Sequence, residues 1–164
     1  MGVVPELHPD VAVLAPLLGT WTGDGTGEYP TIETFAYLEE IVIGHVGKPF
    51  LTYAQRTRAG DDGRPLHAET GYLRVPSPGR IELVVAHPTG VTEIDEGTLS
   101  VDDEGLVIQV DSTSIGLTAS AKSVTALSRS FRITGDKLVY SVRMAAVGVA
   151  LTHHLAATLR RQQG

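Results

Sequence analysis

The chain contains no cysteine. Disulfides, thiolate-built zinc sites, iron–sulfur clusters and thiolate-ligated haem are thereby excluded, and any metal must be held by His, carboxylate, Tyr or Met. Positive charge is also scarce, with 13 Lys and Arg against 19 Asp and Glu and a net charge of -6 at pH 7. Such a balance gives no electrostatic footprint for nucleic acid or for an anionic membrane surface, so neither is expected as a partner. No stretch approaches the roughly 18 uninterrupted apolar residues that a spanning helix needs, and the mean hydropathy is only +0.07. The layout of a secretory signal is missing as well. Met1–Asp10 carries no Lys or Arg, and the apolar run Val11–Leu18 is broken by Pro16. Glu6 stands where a myristoylation signal starting at Gly2 wants Ser or Thr. A soluble, cytoplasmic protein is the expectation.

What is present reads as one domain over 1–164, since 164 residues are enough to bury a substantial core. The 18 Gly and 9 Pro are spread along the chain as punctuation and mark no linker. One segment, His8–Leu17, has helical spacing, with Pro9 suited to a first turn and Leu14, Leu17 and Leu18 near one face. From Gly19 onward Val, Ile, Thr and Tyr recur at spacing two. Turn clusters separate these runs: Gly60-Asp61-Asp62-Gly63, Pro76-Ser77-Pro78-Gly79, Asp102-Asp103-Glu104-Gly105 and Thr134-Gly135-Asp136-Lys137. Strands are predicted at about 19–28, 33–44, 50–58, 66–75, 80–87, 91–101, 106–114, 124–133, 138–146 and 151–161. The fold class is therefore all-β, a ten-stranded antiparallel up-and-down barrel with a short N-terminal helix, because closure removes the exposed edges of a flat meander. A barrel wider than eight strands has room for a ligand.

Two local patterns bear on chemistry. In Gly19-Thr20-Trp21-Thr22-Gly23-Asp24-Gly25-Thr26-Gly27, glycine recurs at every second position on one strand face. Such a row either lets something bulky approach the backbone or lets the strand bend at a barrel corner. It is not a nucleotide loop, since Tyr29-Pro30 and further strand follow instead of a helix N-terminus. The second pattern is His153-His154 in the last strand. Neighbouring strand residues point to opposite faces, so the two imidazoles cannot chelate one ion, and at most one faces the lumen. A lone inward His is ordinarily a hydrogen-bonded core residue and less often a metal or haem ligand. His45, His67 and His87 sit near Gly or Pro at strand ends and read as solvated surface residues. Ser112-Thr113-Ser114 and Ser128-Arg129-Ser130 lack the context of a hydrolase nucleophile. Met144 alternates with Leu138, Tyr140 and Val142 and reads as core.

Taken together, Gly19-x-Trp21-x-Gly23-x-Gly25, then Tyr29-Pro30-Thr31-Ile32, and Leu151-Thr152-x-His154-Leu155 on the last strand resemble the nitrobindin family, and the chain length suits a mycobacterial member. The resemblance spans the whole domain. It implies a barrel of the fatty-acid-binding-protein-like and lipocalin-like kind that holds haem b with a single proximal histidine. It further implies that the ferric protein isomerises peroxynitrite to nitrate and that the ferrous form binds nitric oxide. Carried onto this chain, His154 matches the proximal iron ligand, Gly19, Trp21, Gly23 and Gly25 match the signature, and Thr31 falls in the segment beside the haem. Lys122, before the eighth strand, is a candidate propionate contact by its charge and expected place at the rim.

Strand alternation and the family motif disagree at one place. Alternation groups Leu151, His153, Leu155, Ala157 and Leu159 on one face, and hydrophobicity alone turns His153 inward, whereas the motif selects His154. Following the motif sends the leucine face outward, where a homodimer interface would cover it. A lipid or fatty-acid carrier in the same barrel is the alternative, with Arg129, Arg132, Arg143 and Tyr140 as candidate carboxylate partners.

Overall fold

The computed structural model describes residues 2–163. A 3-10 helix, Pro9–Leu17, precedes ten strands: β1 Gly19–Tyr29, β2 Ile32–His45, β3 Leu51–Ala59, β4 Pro65–Ser77, β5 Arg80–His87, β6 Val91–Asp102, β7 Gly105–Leu117, β8 Val124–Thr134, β9 Lys137–Ala146 and β10 Val149–Arg161. Each strand pairs antiparallel with its sequence neighbours, and β1 closes the barrel on β10 with Gly23 opposite Leu159 and Gly25 opposite Ala157. All ten expected strands are found, with ends that differ from the expected ones by at most three residues. The turn clusters work as read: Gly63 and Gly79 take φ of +75° and +76°, a region that a side chain disfavours.

The helix differs from the ordinary α-helix in its period. Pro16 has no N–H to donate, and the face buried in the barrel is Val11, Leu14 and Leu17, at spacing three. A helix of three residues per turn stacks those positions directly above one another. Leu18 falls outside the helix as its C-cap, so the expected Leu14–Leu17–Leu18 face becomes Val11–Leu14–Leu17. His8 caps the start, its Nδ1 accepting from Asp10 N at 3.1 Å.

The buried face of the helix joins Trp21, Leu73, Ile81, Leu106, Ile133, Leu138 and Leu159 in the core cluster, filling one end of the barrel. The indole of Trp21 donates to the Leu17 carbonyl at 2.8 Å, and the Arg161 guanidinium lies 4.3 Å over its ring. That end is therefore plugged. The other end, where β1 turns into β2, β3 into β4, β5 into β6, β7 into β8 and β9 into β10, stays open as a cavity of about 760 Å³.

Candidate functional site

The open mouth is walled on one side by apolar residues, among them Phe35, Val142, Met144 and Leu155, and on the other by a polar group drawn from six strands. His154 also lines it. How His154 gets there is visible in the pairing of β10 with β9. His153 sits opposite Arg143 and Leu155 opposite Val142, so two consecutive β9 residues face three on β10 and His154 is the extra one. A bulge of this kind interrupts the alternation. His154 and Leu155 both line the cavity, while the His153 side chain is 41% exposed, with Nε2 4.0 Å from Glu28 Oε1.

The leucine row is thus corrected. Leu159 is fully buried and Leu155 packs against the core, and only Leu151 stays exposed. Leu155 and Leu159 keep the inward face that alternation gives them, and the bulge brings the His154 side chain to the cavity as well, because it changes the register between them. The apolar interface argued from that row loses its basis.

Around His154 the environment is specific. Its Nδ1 lies 3.0 Å from the Glu28 carbonyl oxygen, which can only accept, so the Nδ1 proton is held there and the Nε2 lone pair is left without a protein partner among the described residues. Tyr29 stands edge-on to the imidazole, with ring centroids 5.3 Å apart. Tyr29 is itself fixed, its hydroxyl accepting from Ala146 N at 2.9 Å and donating to the Met144 carbonyl at 3.1 Å. Burial pushes the His154 pKa below its ordinary value, which keeps the ring neutral and its lone pair available near pH 7.

The signature residues have a different job from clearing the cavity. A Cβ on Gly25 would lie 2.5 Å from the Tyr37 ring, one on Gly27 2.2 Å from Phe35, and one on Gly23 2.1 Å from the Thr158 carbonyl oxygen. The bulky groups that approach the glycine row are the protein's own side chains and backbone. Trp21 is buried at the plugged end, and Gly19, with φ of +128°, packs against Arg161. None of Gly19, Trp21, Gly23 and Gly25 lines the cavity. Thr31, in the β1–β2 turn, and Lys122, in the β7–β8 connection, are exposed at the mouth end without lining it.

His67 and His87 were expected on the surface and are instead inside the mouth, with side chains 32% and 10% exposed. The alternation of β4 and β5 places them in line with buried Glu69, Leu73, Leu83 and Val85. That parity was the signal that could have found them. They belong to a connected polar network. Tyr53 donates to Glu69 Oε1 at 2.6 Å, Arg129 Nη1 donates to the same oxygen at 2.8 Å and its Nη2 to Glu93, and His87 Nε2 lies 2.7 Å from Glu93 Oε1. Beside it, Tyr140 donates to Glu39 Oε1 at 2.5 Å, Gln55 donates to Glu39 Oε2 at 2.7 Å, and the Tyr37 and Tyr140 hydroxyls are 2.7 Å apart.

The charges of this network are set by position. Burial drives the Glu39 carboxyl up to about 7, while at Glu69 and Glu93 burial is overcome by the charge of Arg129 together with hydrogen bonds from Arg129 and from His67 or His87, which hold both below the usual carboxylate range. Asp95, buried beside Glu93 and without a hydrogen-bond partner, is pushed upward and stays protonated near neutrality. These carboxyls also answer the carrier alternative. Arg129 and Tyr140 are already engaged by Glu69, Glu93 and Glu39, and a fatty-acid carboxylate would meet like charge there. Arg132 pairs with Asp102 and Arg143 is exposed.

A closed ten-stranded barrel with one plugged end, one roomy mouth and a half-buried neutral imidazole offering a free nitrogen defines a barrel built to hold a small molecule or a prosthetic group through a single protein ligand. Residues 10–161 match the family described as "THAP4-like, heme-binding beta-barrel domain". The chain belongs to that haem-binding barrel family, the nitrobindins, as its mycobacterial branch. It is 65% identical over 158 residues to "Peroxynitrite isomerase 2" of Mycobacterium avium, covering 96% of this chain and 98% of that protein. It is 66% identical to "Peroxynitrite isomerase" of Nocardia farcinica over 155 residues, 94% of this chain and 92% of that one. The crystal structure of Rv2717c from M. tuberculosis superposes with a TM-score of 0.94 at 58% identity, over 96% of this chain and all of that one.

Proposed function

We propose that the chain holds haem b through His154 and isomerises peroxynitrite to nitrate in the ferric state, with nitric oxide as a second ligand of the ferrous form. The observation that carries this reading is the bulged His154, whose Nδ1 is committed to the Glu28 carbonyl and whose Nε2 is free beside a cavity of about 760 Å³. The relatives' name, peroxynitrite isomerase, supplies the reaction. Haem, when bound, supplies Lewis-acid and redox chemistry at iron.

The chain's own part is positional. The Glu28 carbonyl sets the His154 tautomer and Tyr29 sets the ring's orientation, the kind of support that tunes a ligating imidazole. Phe35, Val142, Met144 and Leu155 give an apolar wall that limits water. Gly19, Trp21, Gly23 and Gly25 act at one remove, by fixing the β1–β10 seam from which His154 projects. Thr31 and Lys122, exposed at the mouth end, are the side chains offered to the haem edge and its propionates.

Hemin titration into the full chain tests the reading. Wild type and His153→Ala should show a shifted, saturable Soret band at one hemin per chain, and His154→Ala should lose it while remaining folded by circular dichroism. Stopped-flow mixing of the ferric protein with peroxynitrite should raise the nitrate-to-nitrite product ratio, and His154→Ala should not. A Soret band lost in His153→Ala and kept in His154→Ala would overturn the ligand assignment. A wild-type protein that takes up no hemin would overturn the function.

A further inference from the structure

The polar side of the mouth holds a second constellation that the haem reading leaves unused. His67 Nε2, His87 Nδ1 and Glu69 Oε2 converge on one point: the first two are 3.1 Å apart, His67 and Glu69 3.5 Å, and His87 and Glu69 3.3 Å. Hydrogen bonding satisfies this triangle only in part. The His87 Nε2 proton is drawn to Glu93, so its Nδ1 presents a lone pair that the Nε2 proton of His67 can meet at 3.1 Å, while Glu69 Oε2 accepts one long hydrogen bond, from Arg129 Nη2 at 3.3 Å, and keeps a lone pair toward the two imidazoles.

The distances suit a metal ion better. Ligands at about 2.0–2.1 Å from a tetrahedral centre are roughly 3.3 Å from one another, and two His with one carboxylate is the donor set of catalytic zinc sites, which keep the fourth position open. Two of the three donors are also backed by a partner of the kind that orients metal ligands. His87 is held by Glu93, and the other oxygen of Glu69 accepts from Tyr53 and Arg129. With Asp95 protonated, Glu69 and Glu93 carry two negative charges against the one positive charge of Arg129, so the cluster has a net charge to attract a cation.

We propose that His67, Glu69 and His87 form a site for one divalent transition-metal ion, zinc or ferrous iron, on the β4–β5 wall of the barrel mouth, separate from the His154 ligand on β10. The open coordination position faces the cavity, where these three residues and His154 are all exposed to the same contents. The proposal does not depend on the haem assignment.

Isothermal titration of zinc chloride into the full chain, before and after hemin loading, tests it, with chelator-treated protein at the start. One zinc per chain in either form is expected, weakened at least about 100-fold by His67→Gln and by His87→Gln and unchanged by His153→Ala, which removes an imidazole that does not line the cavity. His67 is a third exposed and its Gln variant keeps a polar side chain, so that variant should stay folded; circular dichroism checks this. Zinc binding absent from both forms at millimolar zinc, or equally strong in wild type and both Gln variants, would overturn the site.

Discussion

Glu39 shows how a single buried carboxyl couples the mouth to stability. Burial raises its pKa from 4.5 to about 7, although Tyr140 and Gln55 both donate to it. A folded-state pKa above the unfolded one means that the protonated form is favoured by folding, so stability falls as pH rises from about 4.5 through 7. Glu39→Gln, a neutral isostere, removes this dependence. Gln55 can accommodate it by turning its amide, since its Oε1 has no partner. Denaturant unfolding should show the variant level with wild type below pH 4.5 and more stable by ~3 kcal/mol near pH 8. A difference that stays flat with pH would refute the assignment of this proton to Glu39. His154 is read differently by sequence and structure: its identity as ligand candidate came from resemblance, whereas its tautomer and its Tyr29 neighbour came only from the fold.

Among the elements, β10 departs most from its sequence pattern. Alternation alone cannot place His154 and Leu155 on one side of a strand, and the extra residue in the β9–β10 pairing does. Leu155→Glu should accordingly act inside the cavity. A desolvated carboxylate would sit in the apolar wall beside His154, so hemin uptake should fall at least tenfold and stability by a few kcal/mol. Its elution in size-exclusion chromatography should match wild type. Dissociation of a wild-type oligomer by this substitution alone, with hemin uptake intact, would return Leu155 to an outer surface. The strands themselves were legible because their alternation and Gly-bearing turns are local properties, read without knowing any partner. The helix was legible as an element and not as a type, since a period of three emerges only when Val11, Leu14 and Leu17 are pressed together into the barrel.

At the scale of the whole molecule the barrel separates two tasks. The end holding Val11, Leu14, Leu17 and Trp21 is closed and apolar, while the mouth carries the histidines and buried carboxyls. Leu14 has no solvent exposure, and Leu14→Ala should cost about 2–5 kcal/mol and lower Tm by roughly 5–15 °C. Hemin stoichiometry should remain one per chain, because the cavity lies at the other end. A variant with unchanged Tm would show that the helix is not part of the core, and one that folds yet takes up no hemin would show that the two ends are coupled.

By itself the sequence determined the ten strands, the order in which they pair and the excluded chemistries, because composition, period-two patterning and turn residues act over a few neighbouring positions. The signature glycines and the late histidine pointed to the family through a spacing that needs no coordinates. Tertiary structure decided what those residues touch. The glycine row makes room for Tyr37 and Phe35, which come from a different strand, and His67, Glu69, His87, Glu93 and Arg129 are gathered from four strands separated by up to 62 positions in the chain. Closure of the barrel is what brings such distant positions within hydrogen-bond reach, and one inserted residue in β10 decides which histidine the cavity receives. Contacts of that range are set by register, and register is a property of the closed sheet, not of any one strand.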